Sequence, residues 1–209
     1  MGTRLLRMVL LITASPILFG SSCNKDSSRP CRYATYSFNV TSEFSPQKEI
    51  YNIGDTIFLI SSIPKLLLNL ISNQHVDYSN SVGIGGDIGI ALPDSLSREN
   101  KPAKDSFEYV SITGKFVTRP INQNQGINNE YFESMNYSFR GGIICKKKGV
   151  YAISVDNLIS PGLRGVNCTN ASFNMIVTNS NKQINLYQSI LGITLDQYSI
   201  EKIYCFRVQ

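Results

Sequence analysis

The residues best suited to chemistry in this sequence are its five cysteines, at positions 23, 31, 145, 168 and 205. None of them has the Cys-x-x-Cys spacing of a zinc or redox site, so the sequence predicts no metal ion and no cofactor. If Cys23 is modified, four cysteines remain, an even number that is typical of disulfide pairing in an oxidising compartment. Three pairings of those four then stay open.

Strand alternation favours one of the pairings. In the strand predicted at 203–208, Cys205 lies with Arg207 on the face opposite to the large apolar side chains, which are Tyr204, Phe206 and Val208. Cys205 should therefore meet a loop or a covering segment, and Cys168, in a polar loop, is the best partner. Cys31 has the same outward parity, so Cys31–Cys205 is the second choice. The alternative for Cys145 is a free thiol buried as a small hydrophobe.

Other residue types give little support for catalysis. His75 is the sole histidine and lies in a polar stretch that predicts a surface loop, and no Gly-x-Ser-x-Gly nucleophile motif is present. Paired carboxylates could act as acid and base in a glycosidase. The acidic residues are scattered, however, and the sequence selects no pair from Glu43, Glu49, Asp55, Asp87, Asp94, Glu99, Asp105, Glu108, Glu133, Asp156, Asp196 and Glu201.

A cluster of glycines at 83–89 superficially resembles a nucleotide-binding loop. Such a loop needs a helix N-terminus after it, so that backbone N–H groups can hold phosphate. Here Pro93 follows, which disfavours a helix, and the Lys-Ser/Thr pair of a P-loop is missing. The cluster therefore predicts a flexible or bulged strand.

The N-terminus has the pattern of a secretory signal peptide. Arg4 and Arg7 precede an apolar run at 8–19, and small residues lead to Cys23. The run is shorter than the roughly 20 residues that span a bilayer. Cleavage before Cys23 leaves a mature chain of 187 residues, 209 minus 22, with a net charge of +3 after Arg4 and Arg7 are removed. Nucleic-acid binding needs a clustered basic face, which this balance does not supply.

The segment from Leu18 to Cys23 resembles a bacterial lipoprotein signal, in the looser form used by Bacteroidota. It departs from the general pattern at Gly20, which stands where a leucine is usual. The resemblance implies that Cys23 is lipidated, and two or three acyl chains give stable membrane anchoring. Secretion with cleavage after Ser22 and no lipid is the alternative.

Two tripeptides resemble the Bacteroidota O-glycosylation signal, an Asp, then Ser or Thr, then an aliphatic residue. They are Asp94-Ser95-Leu96 and Asp55-Thr56-Ile57. The resemblance implies that Ser95 and Thr56 are candidate glycosylation sites. Ser95 is in the segment with more loop-forming residues.

Composition places the domain in the all-β class. Hydrophobic residues make up 42% and charged residues 17% of 209 residues, which excludes a disordered or coiled-coil chain. Ile and Val together number 35 against 6 Ala, and β-branched side chains fit strands better than helices.

The alternation of apolar residues and the turn signals set the predicted elements. Strands are predicted at 33–40, 56–60, 82–92, 107–117, 131–145, 149–155, 173–177 and 203–208, and a short helix within 181–191. Segment 64–71 is compatible with a strand or a helix. Loops are predicted at 72–81, 93–106, 119–130 and 156–170, and the three lysines at 146–148 predict a hairpin turn. The prediction is a signal peptide at 1–22, a tether at 23–31 and one antiparallel β-sandwich at 32–209, Ig-like or related, with one or two short helices.

The segments 33–38, 45–46 and 51–57, the last with its Ile-Gly-Asp-Thr-Ile sequence, resemble a group of uncharacterised Bacteroidota envelope lipoproteins, and the strand at 204–208 resembles their closing strand. The strand at 149–155 is similar to the Lys-Gly-x-Tyr strand of extracellular Ig-like modules. The resemblance implies an exported, sandwich-like domain and brings no activity with it.

Together these patterns predict a protein of the bacterial envelope, anchored to the outer membrane by lipid on Cys23, facing either the periplasm or the surface. Its expected role is a binding or structural module with a glycan or protein ligand, and catalysis is not expected. Two alternatives stay open: an envelope-anchored hydrolase that uses acidic residues, and a secreted, unlipidated β-sandwich protein.

Overall fold

The computed structural model describes residues 34–118, 127–155, 157–166, 168–179 and 183–209. The chain divides into two units, Met1–Cys31 and Arg32–Gln209, and every described residue belongs to the second. The predicted signal peptide, the tether and the cysteines Cys23 and Cys31 lie outside the described residues.

Sixteen strands and two helices occupy the described residues, so the chain is mainly β, as its composition predicts. The strands are β1 Ala34–Ser45, β2 Ile50–Tyr51, β3 Thr56–Ile63, β4 Leu66–Asn69, β5 Gln74–Asp77, β6 Gly85–Asp94, β7 Glu99–Pro102, β8 Phe107–Thr113, β9 Lys115–Thr118, β10 Ile127–Glu130, β11 Phe132–Glu133, β12 Tyr137–Cys145, β13 Gly149–Val155, β14 Leu158–Ser160, β15 Thr169–Val177 and β16 Ile203–Val208. The helices are α1 Ile184–Leu191 and α2 Gln197–Ile200. Strands β4 and β5 form a separate hairpin, and the other strands belong to one continuous sheet.

The continuous sheet folds over itself into a sandwich. Its main path runs β11-β12-β3-β1-β15-β14-β6-β13-β16-β2. Five strand steps separate β1 from β16, which would be about 24 Å in a flat sheet. The ring of Phe44 in β1 nevertheless stacks on Tyr204 in β16 with centroids 4.5 Å apart. The two layers are joined at β14 and β6 through the single pair Ile159 and Gly85.

Alternation along the strands fills the space between the layers. β15 changes between buried and half-buried positions at every residue, with Phe173 and Met175 fully buried. Phe107 of β8 contacts Tyr151 of β13 edge-on at 4.8 Å, which packs one layer against the other. The core is thus built from the period-2 pattern on which the sandwich prediction rests.

Two strand pairs are parallel and depart from the expected antiparallel arrangement. β1 runs beside β15 in parallel from the pair Ala34 and Thr169 to the pair Ser42 and Val177. β2 and β16 are also parallel. Parallel neighbours need a long connection, and both pairs join segments that are far apart in the sequence.

Several local expectations are corrected by the structure. Strands β5, β7, β10 and β14 lie within segments predicted as loops, and the undecided segment 64–71 contains strand β4. The lysines at 146–148 do not turn a hairpin, because β12 pairs with β3 and β8 whereas β13 pairs with β6 and β16. The short helix expected within 181–191 is confirmed as α1. It ends at Gly192, whose φ of +67° is the left-handed conformation that glycine adopts without strain.

Both predicted pairings of Cys205 are wrong. Its side chain does face away from the main core, as strand parity predicts, but helix α1 covers it there. Tyr187 and Leu191 of α1 pack on Ala152 and Cys205, which is 1% exposed and carries a free thiol. A buried free thiol on this face cannot be the partner of Cys168 or Cys31.

The other two cysteines in the described ranges, Cys145 and Cys168, differ in their oxidation state. Cys145 is a buried free thiol, the alternative left open for it. Cys168 is disulfide-bonded and has a φ of +64° in the loop before β15. Because Cys145 and Cys205 are free, no disulfide joins two cysteines within the described residues.

Candidate functional site

A groove of about 680 Å³ lies at one end of the sandwich in the described part of the chain. We call it the end groove. It is lined by the start of β6, the end of β10, strand β11 and the segments on either side of β14. Strands β1 and β15 begin at this end, where Ala34 pairs with Thr169. The hydroxyl of Thr169 accepts a hydrogen bond of 2.9 Å from the N–H of Leu163, which precedes the groove residue Arg164.

The glycine cluster of β6 forms one wall of the groove. A Cβ at Gly85 would lie 2.5 Å from the backbone oxygen of Asn129, and one at Gly86 would lie 2.8 Å from a methyl carbon of Leu158. These glycines therefore allow close approach of β10 and β14, and the prediction of a strand here is confirmed. β6 continues to Asp94, so no helix N-terminus follows that could hold phosphate.

Asn129 places an unsatisfied amide at the groove wall. The side chain is 1% exposed, and its Oδ1 accepts a hydrogen bond of 3.1 Å from the backbone N–H of Gly86. Its Nδ2 has no acceptor among the described residues. A buried donor without a partner costs about 1–3 kcal/mol, so an oxygen supplied by a ligand or by water would stabilise this position.

A three-residue charge cluster lies beside the amide. The two carboxylate oxygens of Glu133 lie 3.4 Å from Nζ of Lys65 and 3.4 Å from a guanidinium nitrogen of Arg164. The cluster joins β11 to the residue before β4 and to the loop after β14. All three side chains are partly exposed, and ion pairs in contact with water contribute little to the stability of a fold. The charge cluster therefore serves to orient polar groups at the groove.

Apolar side chains add a surface for packing. Phe132, Val82 and Ile159 line the groove and are 58%, 50% and 63% exposed. Ligand-binding sites typically combine exposed aromatic side chains with a few amide or carboxylate groups, as this groove does.

The floor of the groove is rigid. The Tyr137 hydroxyl donates a 2.7 Å hydrogen bond to the carbonyl oxygen of Tyr78 and accepts one of 3.0 Å from the N–H of Ser81. Behind it, the hydroxyl of Ser160 contacts those of Tyr78 at 3.0 Å and Ser81 at 2.9 Å. Burial raises the pKa of the Tyr137 phenol, so the floor stays neutral at physiological pH.

Ser95 lies in an exposed turn that Asp94 organises. Asp94 accepts hydrogen bonds from the N–H of Leu96 at 3.0 Å and the hydroxyl of Ser97 at 3.1 Å, and it pairs with Lys101. The bond to Lys101 is the main cause that lowers the pKa of Asp94 to about 2. The turn leaves the Ser95 residue exposed to solvent.

Thr56 and His75, which the sequence also singled out, do not line the groove. Thr56 is half-buried at the start of β3, paired with Ile144 of β12. His75 is exposed, as expected, but it lies in strand β5 and not in a loop. Of the acidic residues considered, Asp87 and Glu133 line the groove, with Glu130 added by the structure.

Sequence reasoning missed the residues that give the groove its character, Asn129, Phe132 and Arg164. They come from two segments that are far apart in the sequence, 127–133 and the loop after β14, and only the glycine cluster of β6 signalled this location.

No group of His, Cys, Asp and Glu residues that could hold a metal ion occurs in the described ranges. Within the same ranges, no helix is long and apolar enough to cross a membrane.

No family model matches the chain, and no curated protein matches it significantly.

Proposed function

We propose that this chain is a lipid-anchored protein of the bacterial outer membrane whose β-sandwich binds a glycan in the end groove. The anchor rests on the sequence that ends at Cys23. The binding role rests on one observation: an open groove that combines the exposed ring of Phe132, the unsatisfied amide of Asn129 and the charge cluster around Glu133.

The chemistry of the groove favours a glycan over an apolar ligand. Sugars present many hydroxyl groups that both donate and accept, and amides and carboxylates offer complementary atoms. Asn128 and Asn157 add two further amide side chains to the lining. The flat C–H faces of sugar rings pack on exposed aromatic rings, and Phe132 supplies one. The neighbouring Arg164 and Glu133 leave the groove with groups of both charges, which suits a neutral or weakly charged sugar.

Intact mass of the protein from detergent-extracted membranes tests the anchor. The wild type should begin at residue 23 and carry the added mass of acyl chains, and Cys23→Ala should lack that mass. A soluble, unmodified wild-type chain would contradict the anchor and favour the alternative of a secreted protein.

Calorimetric titration with a panel of neutral and N-acetylated oligosaccharides (malto-, cello- and chito-oligosaccharides) tests the groove. Phe132→Ala should weaken binding of any positive sugar by about tenfold, because the ring contact is lost. Ile53→Ala removes a side chain of similar exposure from the turn before β3 and should leave affinity unchanged. Equal affinity of both variants and the wild type would contradict the groove as the site.

The hydrolase alternative has one observation in its favour. Three carboxylates line the groove, those of Asp87, Glu130 and Glu133. A glycosidase needs two of them about 5–9.5 Å apart across the bond that is cleaved. Release of shorter sugars during the titrations, abolished by Glu133→Gln or Glu130→Gln, would support this alternative over simple binding.

A further inference from the structure

An exposed aliphatic surface lies on the β4–β5 hairpin. We call it the hairpin patch, and it consists of Leu66, Leu68, Leu70 and Ile71. Their exposed fractions are 61%, 42%, 48% and 65%. Four large aliphatic side chains exposed within six residues are far more than the scattered apolar residues of an ordinary protein surface.

Leu66 and Leu68 share the outer face of β4, and Leu70 and Ile71 lie in the turn that follows. β4 alternates between exposed and buried positions, so Leu67 packs into the core while Leu66 and Leu68 point away from it. The antiparallel register sets Leu68 beside His75 on that outer face. The fold does not need the patch, because the hairpin is held to the core by the opposite face.

The composition of the patch fits lipid better than a protein partner. Residues 66–76 contain no Asp, Glu, Lys or Arg and no Phe, Tyr or Trp, and the exposed Asp77 lies opposite Leu66 at the edge of the patch. Protein interfaces concentrate their binding energy in Trp, Tyr and Arg, and leucine is under-represented there. Leu and Ile are instead among the residues whose transfer into a bilayer is most favourable.

The position of the patch brings it close to the start of the domain. The N–H of Leu70 donates a 2.8 Å hydrogen bond to the carbonyl oxygen of Ser37, and the N–H of Ser37 donates one of 3.1 Å to Oδ1 of Asn69. Ser37 is the fourth residue of strand β1, which begins at Ala34, and Cys23 precedes Ala34 by eleven residues. Eleven residues span at most about 40 Å. A lipid on Cys23 would therefore hold the hairpin within reach of the bilayer surface.

We propose that the hairpin patch inserts into the lipid surface and fixes the orientation of the anchored domain. This inference rests on the proposed lipid anchor. The end groove also lies at the end where β1 begins, so insertion would hold the groove facing or flanking the membrane. The contact is mainly aliphatic, with the Asp77 carboxylate at its edge, so membrane binding should depend little on salt.

Tryptophan fluorescence tests the insertion directly, because the chain contains no tryptophan. The buried core residues of the described ranges lie within 38–208. The chain from Asn24 can therefore carry an N-terminal hexahistidine tag bound to nickel-chelating lipid in phosphatidylcholine vesicles. This tether replaces the native anchor. The tryptophan emission of Leu70→Trp should shift to shorter wavelength on vesicles and be quenched by brominated acyl chains, at low and high salt alike. Leu96→Trp, in a turn where the leucine is 94% exposed, is the control and should do neither.

A second variant measures the strength of the contact. The exposed fractions of Leu66 and Leu68 together equal about one leucine side chain, so L66S/L68S should lower the vesicle partition coefficient of the untethered chain about ten- to hundredfold. Leu70→Trp quenched no more than Leu96→Trp would overturn the inference. So would a dimer in sedimentation experiments that L66S/L68S abolishes, because a second copy would then be the occupant. The artificial tether separates these results from the test of Cys23 acylation, which can fail independently.

Discussion

Replacing Gly85 by alanine should destabilise the domain far more than the same change at Gly89, four residues along β6. A Cβ at Gly85 would lie 2.5 Å from the backbone oxygen of Asn129, about 0.9 Å inside the 3.4 Å at which ordinary contact begins. A backbone oxygen cannot rotate away, so β6 and β10 must separate at their ladder. A Cβ at Gly89 would also come within 2.5 Å of an atom, but that atom is the hydroxyl of Ser154, which can turn aside.

The expected size of the difference follows from the two kinds of contact. Forced overpacking against fixed backbone costs about 1–3 kcal/mol. Replacing glycine by alanine without strain stabilises by about 0.4–1 kcal/mol through the unfolded chain. We therefore expect Gly85→Ala to lose about 2 kcal/mol, or about 4–8 °C in Tm, and Gly89→Ala to stay within about 0.5 kcal/mol of the wild type.

Urea and thermal unfolding followed by circular dichroism measure both variants beside the wild type. Gly85→Ala should also weaken any sugar bound in the end groove, because the displaced strand carries Asn129. If Gly85→Ala and Gly89→Ala have the same stability, Gly85 is not needed for the close approach of β6 to β10, and the description of the groove wall is wrong.

Three further predictions concern the cysteines and the exposed turn. Burial raises the pKa of Cys205 to about 12 from an ordinary 9.0, so above pH 9 only the unfolded thiol ionises and stability falls with rising pH. From pH 8 to 10 the wild type should lose about 1.4 kcal/mol more than Cys205→Ala in urea unfolding, and equal losses would contradict this. Cys168 is disulfide-bonded while Cys145 and Cys205 are free. If Cys23 is acylated, non-reducing peptide mapping should therefore find a peptide that joins Cys168 to Cys31. A peptide that joins Cys168 to Cys205 would refute this pairing. If the protein is exported and O-glycosylated at the predicted site, Ser95→Ala should remove the glycan mass, and a glycan that persists in this variant would place it elsewhere.

The sequence predicts the sandwich because apolar alternation and turn residues are local signals. It fails at strands such as β7, Glu99–Pro102, where all four residues are exposed and polar or proline. β7 exists because the edge of β6 offers backbone hydrogen-bonding groups. An edge strand of this kind is created by its neighbour, so its own residues carry little periodic signal.

The cysteines show the same division between local and tertiary information. Alternation correctly places Cys205 on the face away from the main core, but the covering segment is α1, whose Tyr187 and Leu191 bury the thiol. The end groove is assembled from segments far apart in sequence, so Phe132 and Arg164 carried no signal of a shared site. The glycines of β6 did mark the position, through the steric demand of close strands.

The parallel pairing of β1 with β15 has a consequence for the order of folding. β1 lies near the middle of the sheet path and is the first strand of the described chain, yet Ala34 pairs with Thr169, 135 positions later. The centre of one layer therefore cannot close until nearly the whole domain has emerged from the ribosome. A topology with such high contact order folds slowly. That delay would keep the nascent polypeptide open for translocation, so the same strand arrangement that completes the core would also make the chain easy to export before it folds.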